Sequence, residues 1–301
     1  MSPDTRLGFL AALGAYTLWG GLPLYFKAVG HIAPADMLAH RIVWSLPTGL
    51  LFLAIAARWS DLRAALKIEH LRWLLLTAAL IGGNWFLYIW AVGADRVMEA
   101  SLGYYMNPLI SVLFGFAFLS ERLRLAQWIS VALAGIGVAI MTVAFGRLPW
   151  VSLVLCFSFA SYSLIRKQVP VDSRAGFVVE AAVLLPVAAI WLGFQTVGAG
   201  QPLFGRGGWD IPLLLLSGPL TAVPLILFAV AARKLMLATV GMMQYLAPTL
   251  QFLVALAYGE TFSLTHSLGF GFIWAAIILF TADSVLGNRR ARRLARSAQL
   301  S

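Results

Sequence analysis

Apolar runs of about twenty residues recur along the whole chain, separated by short segments rich in Arg, Lys, Gly and Pro. A helix needs about 20 apolar residues to cross the roughly 30 Å of hydrocarbon in a bilayer. On that length the pattern predicts ten spans, at 7–28, 36–57, 71–94, 98–119, 126–145, 149–167, 175–195, 210–232, 238–258 and 264–286. Helix is the only conformation that fits, because an open strand edge in lipid leaves backbone donors and acceptors unpaired. The expected fold class is therefore an all-α membrane protein with ten transmembrane helices.

Composition agrees with the pattern. The chain is 61% hydrophobic and 11% charged, whereas soluble domains run at about 45–50% apolar and about 25% charged. A soluble body with one anchor is excluded, because the apolar residues are spread over the full length. A formal net charge of +10 would suggest nucleic acid in a soluble protein. Here the basic residues fall between apolar runs, which is a topology signal, and no nucleic-acid partner is expected. With the N-terminus in the cytoplasm, 17 of the 22 Lys and Arg lie inside, and only Lys27, Arg41, Arg96, Arg147 and Arg206 lie outside. That bias places both termini in the cytoplasm. The final cluster, Arg289, Arg290, Arg292, Arg293 and Arg296 in a tail over 289–301, reads as a topology anchor or as a patch for acidic headgroups. Arg6 precedes an apolar run that continues through Trp19, Pro23 and Tyr25, so the N-terminus reads as a retained helix rather than a cleaved leader.

Sliding the chain against itself reveals a repeat. Residues 91–103 fall on residues 229–241 at a constant offset of 138, with six of thirteen pairs identical. Pro108 meets Pro248, Glu121 meets Glu260, Lys27 meets Lys167 and His40 meets Glu180 at offsets of 139 or 140. Two units follow, 1–146 and 147–288, each with five spans. An odd span number turns the second unit upside down relative to the first, the inverted-repeat architecture of secondary transporters. Prolines fall inside several spans, at Pro23, Pro47, Pro108, Pro186, Pro219, Pro224 and Pro248, and each removes a backbone donor and favours a kink. The matched pair Pro108 and Pro248 is the expected hinge.

Four stretches carry a resemblance: His40-Arg-Ile-Val-Trp-Ser45, Asn84-Trp-Phe-Leu-Tyr-Ile-Trp-Ala-Val92, Ser101-Leu-Gly-Tyr-Tyr-Met-Asn-Pro-Leu109 and Gln244-Tyr-Leu-Ala-Pro-Thr249. Together they resemble the RarD branch of the EamA-type drug/metabolite transporters over nearly the whole chain. The resemblance implies a ten-helix fold of the bacterial inner membrane, in an exporter of amino acids, often aromatic ones, or of similar small metabolites. The branch is also linked by name to chloramphenicol sensitivity, which implies a second substrate class, an amphenicol-type drug moved by a proton-coupled permease. In that family the fifth and tenth helices are peripheral. Ala126–Phe145 and Leu264–Phe280 carry few polar groups, as that implies, and Asp283 departs from the pattern.

Polar groups inside spans are costly, from about 2.5 kcal/mol for a central charge on insertion scales, so each points inward or toward water. His40 and Arg41 open the second span, where Arg41 either forks onto a substrate carboxylate or snorkels to the outer headgroups. Glu180, at the repeat mate of His40, either pairs with Arg166 or Lys167 or takes up a proton. Asn84 and Tyr88 share a helix face and offer donors and acceptors, or else bind helix to helix. Tyr104, Asn107, Gln244 and Tyr245 lie just before the paired prolines and are expected to line the centre. Trp19, Trp44, Trp90 and Tyr162 could stack on an aromatic ligand, although with 11 Trp in the chain most serve packing or the interface belt. Gly135-x-Gly137 and Gly269-x-Gly271 are expected to let helices approach.

Several classes drop out. No Gly-x-x-x-x-Gly-Lys-Ser/Thr sequence occurs, so ATP is not expected to power this chain. Neither a Gly-x-Ser-x-Gly nucleophile nor a His-Glu-x-x-His spacing occurs, and the single Cys156 cannot form a Cys-x-x-Cys site. The chain is expected to be no enzyme and to hold no cofactor or metal. Its expected partners are the bilayer and a small solute.

Overall fold

In the computed structural model, the described residues are 2–94, 96–146, 149–205, 207–259 and 264–297. Each helix starts and stops for a local reason. The first, α1 (Pro3–Ala28), opens with Pro at its first position and with the Ser2 hydroxyl accepting from the Thr5 amide at 3.1 Å, which satisfies one orphan donor of the first turn. Helix α2 (Pro34–Ile55) again opens on proline. After it, a short α3 (Trp59–Ala65) fills a stretch that the apolar pattern left as a connection. It forms because Ala65 buries against Leu53, Leu74, Val171 and Val179.

Helices α4 (Ile68–Gly93), α5 (Val97–Leu119) and α6 (Leu125–Phe145) follow. The last two end on left-handed residues, Ser120 with φ 54° and Gly146 with φ 75°, a common way to stop a helix. Helix α7 (Trp150–Gln168) leads to α8 (Ser173–Gly193), whose cap Asp172 accepts from the Arg174 amide at 3.0 Å, and a π-helical turn continues α8 over Phe194–Gly198. The chain closes with α9 (Asp210–Lys234), α10 (Leu237–Gln244), α11 (Leu246–Ala257) and α12 (Leu264–Ser297).

Among the described residues, eight helical stretches are long and apolar enough to cross a membrane, with α10 and α11 counting together as one of them. Beside these stand α7, which carries Ser152, Ser158, Ser161, Ser163, Tyr162 and Arg166, and α12, whose apolar part runs over Ser267–Asp283. The outside of the bundle is apolar: Leu10, Ile55, Phe86, Phe118, Val143, Val187, Ile190 and Ile278 are all exposed. That surface would be untenable in water and is what a lipid contact requires.

Lipid tails are as apolar as leucine, so close packing and internal polar bonds must hold helix to helix. The packing partners form a regular scheme: α1 lies on α9 and α11, α2 on α8 and α9, α4 on α7 and α8, α5 on α7 and α10, and α6 on α12. Glycines mark the tightest approaches. A Cβ on Gly218 would overlap the backbone carbonyl of Trp44, and one on Gly137 would lie 2.7 Å from the Gly269 carbonyl. Gly135 and Gly271, their partners in the Gly-x-Gly pairs, face open space instead.

This difference makes a testable contrast. Gly218→Ala is expected to lower stability by about 1–3 kcal/mol, because the neighbour that must yield is backbone. Gly21→Ala, where nothing lies within 4 Å, is expected to leave stability unchanged or raise it by up to about 1 kcal/mol through helix propensity. Thermal unfolding of the two variants in detergent checks the pair.

Candidate functional site

Between the two halves lies a cavity of about 120 Å³, lined from α1, α2, α4, α5, α7, α9, α10 and α11. One water needs roughly 10–15 Å³ of such space, so the cavity has room for several waters or the core of a small solute. Its wall combines Trp19, Leu22, Trp85, Phe159, Leu225, Ala247 and Pro248 with the polar residues Arg41, Asn84, Tyr104, Thr221, Gln244 and Gln251. Helices α6 and α12 contribute nothing to it.

Arg41 sits about two turns inside α2. Its Nε donates to the Thr221 hydroxyl of α9 at 3.0 Å. The guanidinium carbon lies 5.7 Å from the Phe26 ring centre and 5.4 Å from that of Trp85, within cation–π range of both. Among the described residues no carboxylate comes within ion-pair distance of it, although nine such pairs form elsewhere. Asn84 spends its amide nitrogen on the Leu155 carbonyl at 2.9 Å and the Ser158 hydroxyl at 2.8 Å, so helix-to-helix bonding and cavity lining meet in one side chain. Gln251 donates to the Trp19 carbonyl at 3.1 Å.

The prolines act through their missing N–H groups. Pro108 and Pro248 cannot donate to the residues four positions earlier, which are Tyr104 and Gln244, and both of these line the cavity. The two halves respond differently. Helix α5 runs unbroken through Pro108, whereas its counterpart is interrupted at Tyr245 between α10 and α11.

The other candidate residues stand outside the cavity lining. Tyr88 packs edge-on to Tyr104 at 5.8 Å. His40 donates to or accepts from its neighbours at the rim: its Nε2 lies 2.8 Å from the Leu203 carbonyl, and its Nδ1 accepts from Trp44 Nε1 at 3.2 Å. This tautomer makes Nε2 the donor, and Phe204 packs against both rings. Trp90 is 42% exposed, beside Trp150. Tyr245 is fully buried and donates to the Tyr105 carbonyl at 3.1 Å. Asn107 is buried with neither side-chain amide atom hydrogen-bonded.

Glu180 and Tyr162 belong to a closed network. Glu180 accepts from the Thr77 hydroxyl at 2.6 Å and from the Tyr162 hydroxyl at 3.3 Å, and Arg166 Nε lies 3.6 Å away. Arg166 also donates to the Ser173 carbonyl at 3.1 Å, and only a glycine at 176 leaves room for its guanidinium. The network pins α4, α7 and α8 together.

At the face that holds residue 4 and the α9–α10 connection, charges close the bundle. Glu121 accepts from the amides of Leu237 at 2.6 Å and Ala238 at 2.9 Å, where the positive end of the α10 dipole favours an anion. Lys167 lies 3.7 Å from Glu121 and donates to the carbonyls of Ala232 and Leu235. Lys234 pairs with Asp4, and Arg124 with Asp283 at 2.6 Å. At the opposite face, Lys27, the repeat mate of Lys167, stands 3.2 Å from the Tyr258 ring centre. Glu260, the repeat mate of Glu121, lies outside the described residues, as do Arg147 and Arg206.

Residues 6–143 match the EamA-like transporter family. An uncharacterized transporter of Vibrio cholerae is 43% identical over 293 residues, covering 96% of this chain and 97% of the relative. Protein RarD of Escherichia coli K12 is 41% identical over 293 residues, covering 96% of this chain and 99% of its own. The chain is a RarD-like member of the EamA transporter family. A solved crystal structure at 22% identity superposes with a TM-score of 0.70 over 93% of this chain and 98% of that one, so the two share a fold.

Within this EamA chain, Leu22, Trp85, Phe159, Thr221, Leu225, Ala247 and Gln251 line the cavity without having been singled out by the sequence. Thr221 and Gln251 carried a usable signal. Each is a polar residue within an apolar run, and Gln251 lies seven positions beyond Gln244, the spacing of a shared helix face. The apolar members carried none, because a leucine facing a cavity and one facing a neighbouring helix read alike.

The Glu180 network gives the prediction here. Glu180→Ala leaves Arg166 charged and buried, and is expected to cost about 3–5 kcal/mol. The joint replacement Glu180→Leu with Arg166→Met is expected to recover most of that loss. Denaturant unfolding in detergent, together with the yield of monodisperse protein, measures both.

Proposed function

We propose that this chain is a secondary transporter or uniporter that exports small polar metabolites, amino acids including aromatic ones first among them, by alternating access between two inverted five-helix repeats. The observation that carries this reading is the cavity itself: a polar, aromatic-walled space at membrane depth, built from both halves, around a cation that has no acid beside it among the described residues. In a membrane bundle a charge that lacks an acidic partner faces a cavity or a solute path, because exposure to lipid is costly.

The inverted arrangement draws support from the packing scheme. At the repeat offset, α1 corresponds to α7, α2 to α8, α4 to α9, α5 to α10–α11, and α6 to α12. Exchanging the halves turns the α1–α9 contact into α7–α4 and the α1–α11 contact into α7–α5, and both members of each pair occur. Lys27 and Lys167, equivalent in sequence, stand at opposite faces, as an inversion requires. On this reading α7 and α12 complete a set of ten spans. The basic face, which carries Glu121, Lys167 and Lys234, is cytoplasmic by the charge bias, in the inner membrane of a bacterium.

Alternating access then has named parts. The Glu121–Lys167 contact with the start of α10 holds the cytoplasmic face shut in this conformation. Releasing it lets α10 and α11 move about their break at Tyr245, while the matching motion of α5 about Pro108 closes the far side. An amphenicol-type drug is the alternative cargo, served by the Asn84, Gln244 and Gln251 amides without a need for charge. A proton-coupled form of that permease would draw on Glu180 or His40, and both stand off the cavity in filled hydrogen-bond sets.

Uptake into liposomes of radiolabelled amino acids, nucleobases and amphenicols tests the proposal. Saturable flux of at least one amino acid is expected, reduced about tenfold or more by Asn84→Ala, which removes both a lining group and an α4–α7 tie. Absence of flux across the whole panel would overturn the transporter reading, and flux confined to amphenicols would establish the alternative.

A further inference from the structure

We infer that Arg41 makes the cavity a carboxylate site, so that the obligate feature of the cargo is a carboxylate on a planar frame and an α-ammonium group is dispensable. The inference rests on the transporter reading and goes beyond it by naming which half of an amino acid the site reads.

Three observations converge. First, the other buried charges with described partners are met by opposite charge: Glu180 by Arg166, Glu121 by Lys167 and Glu99 by Arg96. Arg41 has only a neutral hydroxyl, that of Thr221. A guanidinium cannot shed its proton, so this cation stays charged at membrane depth. Second, Thr221 occupies Nε alone. The two terminal nitrogens make no hydrogen bond among the described residues, and neither is sealed away as an orphaned buried atom. They form the edge of the fork that takes both oxygens of a carboxylate. The rings of Phe26 and Trp85 flank the guanidinium and hold its orientation. Third, the lining contains no Asp or Glu, so nothing of opposite charge rewards an ammonium, while Trp85, Trp19, Tyr104 and Phe159 offer flat walls to a planar group.

A headgroup-seeking Arg41 would show a different arrangement. Its nitrogens would run outward along α2, not across to the middle of α9. Thr221 thus serves as a positioning residue for the fork rather than as a contact of its own.

The test uses the purified full-length chain and three compounds on one indole frame: tryptophan, indole-3-propionate, which lacks the ammonium, and tryptamine, which lacks the carboxylate. Binding is measured by titration calorimetry in detergent, which avoids passive leakage of neutral forms through lipid. The expected result is that tryptophan and indole-3-propionate bind within about threefold of one another and tryptamine binds at least tenfold more weakly. Arg41→Gln is expected to remove that preference and Arg41→Lys to retain part of it. Should Arg41→Gln fail to fold, the three-compound comparison on the unaltered protein decides alone. Tryptamine binding as tightly as indole-3-propionate would overturn the inference, as would an acid affinity unchanged in a folded Arg41→Gln protein. So would binding of none of the three. In each of these cases, solute flux measured in liposomes still tells whether the transporter reading stands.

Discussion

A guanidinium is held inside an apolar bundle by one hydroxyl and two aromatic faces, in the wall of a cavity and with no acid beside it among the described residues. Much of the molecule can be understood as the means of supporting that arrangement. Lipid supplies no water to solvate a stray charge, so a charge at membrane depth is costly unless it is paired inside the protein or faces a cavity. Glu180 and Arg166 take the first course: Thr77 and Tyr162 donate to Glu180, and Arg166 pairs with it and donates to the Ser173 carbonyl. Arg41 takes the second. The contrast between these two solutions, within one bundle, separates the part that holds the fold from the part that lines the cavity.

The scaffold around the cavity is held by contacts that lipid cannot replace. Glycines at 218 and 137 bring backbones together, the Asn84 amide ties α4 to α7, and the Tyr16 hydroxyl reaches the Val240 carbonyl at 2.9 Å from α1. The packing scheme is close to symmetric between halves, yet the two proline-bearing helices differ: α5 is continuous and its mate is broken at Tyr245. The charges around Glu121 and Lys167 tie the start of α10 to the ends of α5 and α7 on one face.

Much of this was legible in the chain before any coordinates. Apolar run length and the cost of unpaired backbone in lipid gave the all-helical class, and the stretches around His40, Asn84, Ser101 and Gln244 pointed to the family. Within the candidate site, Trp19, Arg41, Asn84, Tyr104, Gln244 and Pro248 gather at the cavity. Rarity within a span, or closeness to a paired proline, had drawn attention to each. Other candidates were rare for other reasons. His40 and Trp44 answer to Phe204 and Leu203, in a loop whose path over the rim no periodicity encodes. Trp90 lies at the exposed edge beside Trp150, a position that hydropathy cannot tell from the interior. Thr221 and Gln251 stand out in sequence only as polar residues within apolar runs, and the crossing of α9 over α2 and of α11 over α1 is what gives them a role. The short α3 escaped notice because seven residues are too few for a period to show.

The central claim is a solute-filled space at membrane depth shared by both halves. Its most direct test places one cysteine at Gln244 in a Cys156→Ser background and measures labelling by a membrane-impermeant thiol reagent in sealed vesicles, with and without tryptophan. The account predicts that the cysteine is labelled from at least one side and that tryptophan slows the reaction. A residue that resists labelling from both sides in a chain that still folds would mean that the centre is dry and packed, and would contradict it.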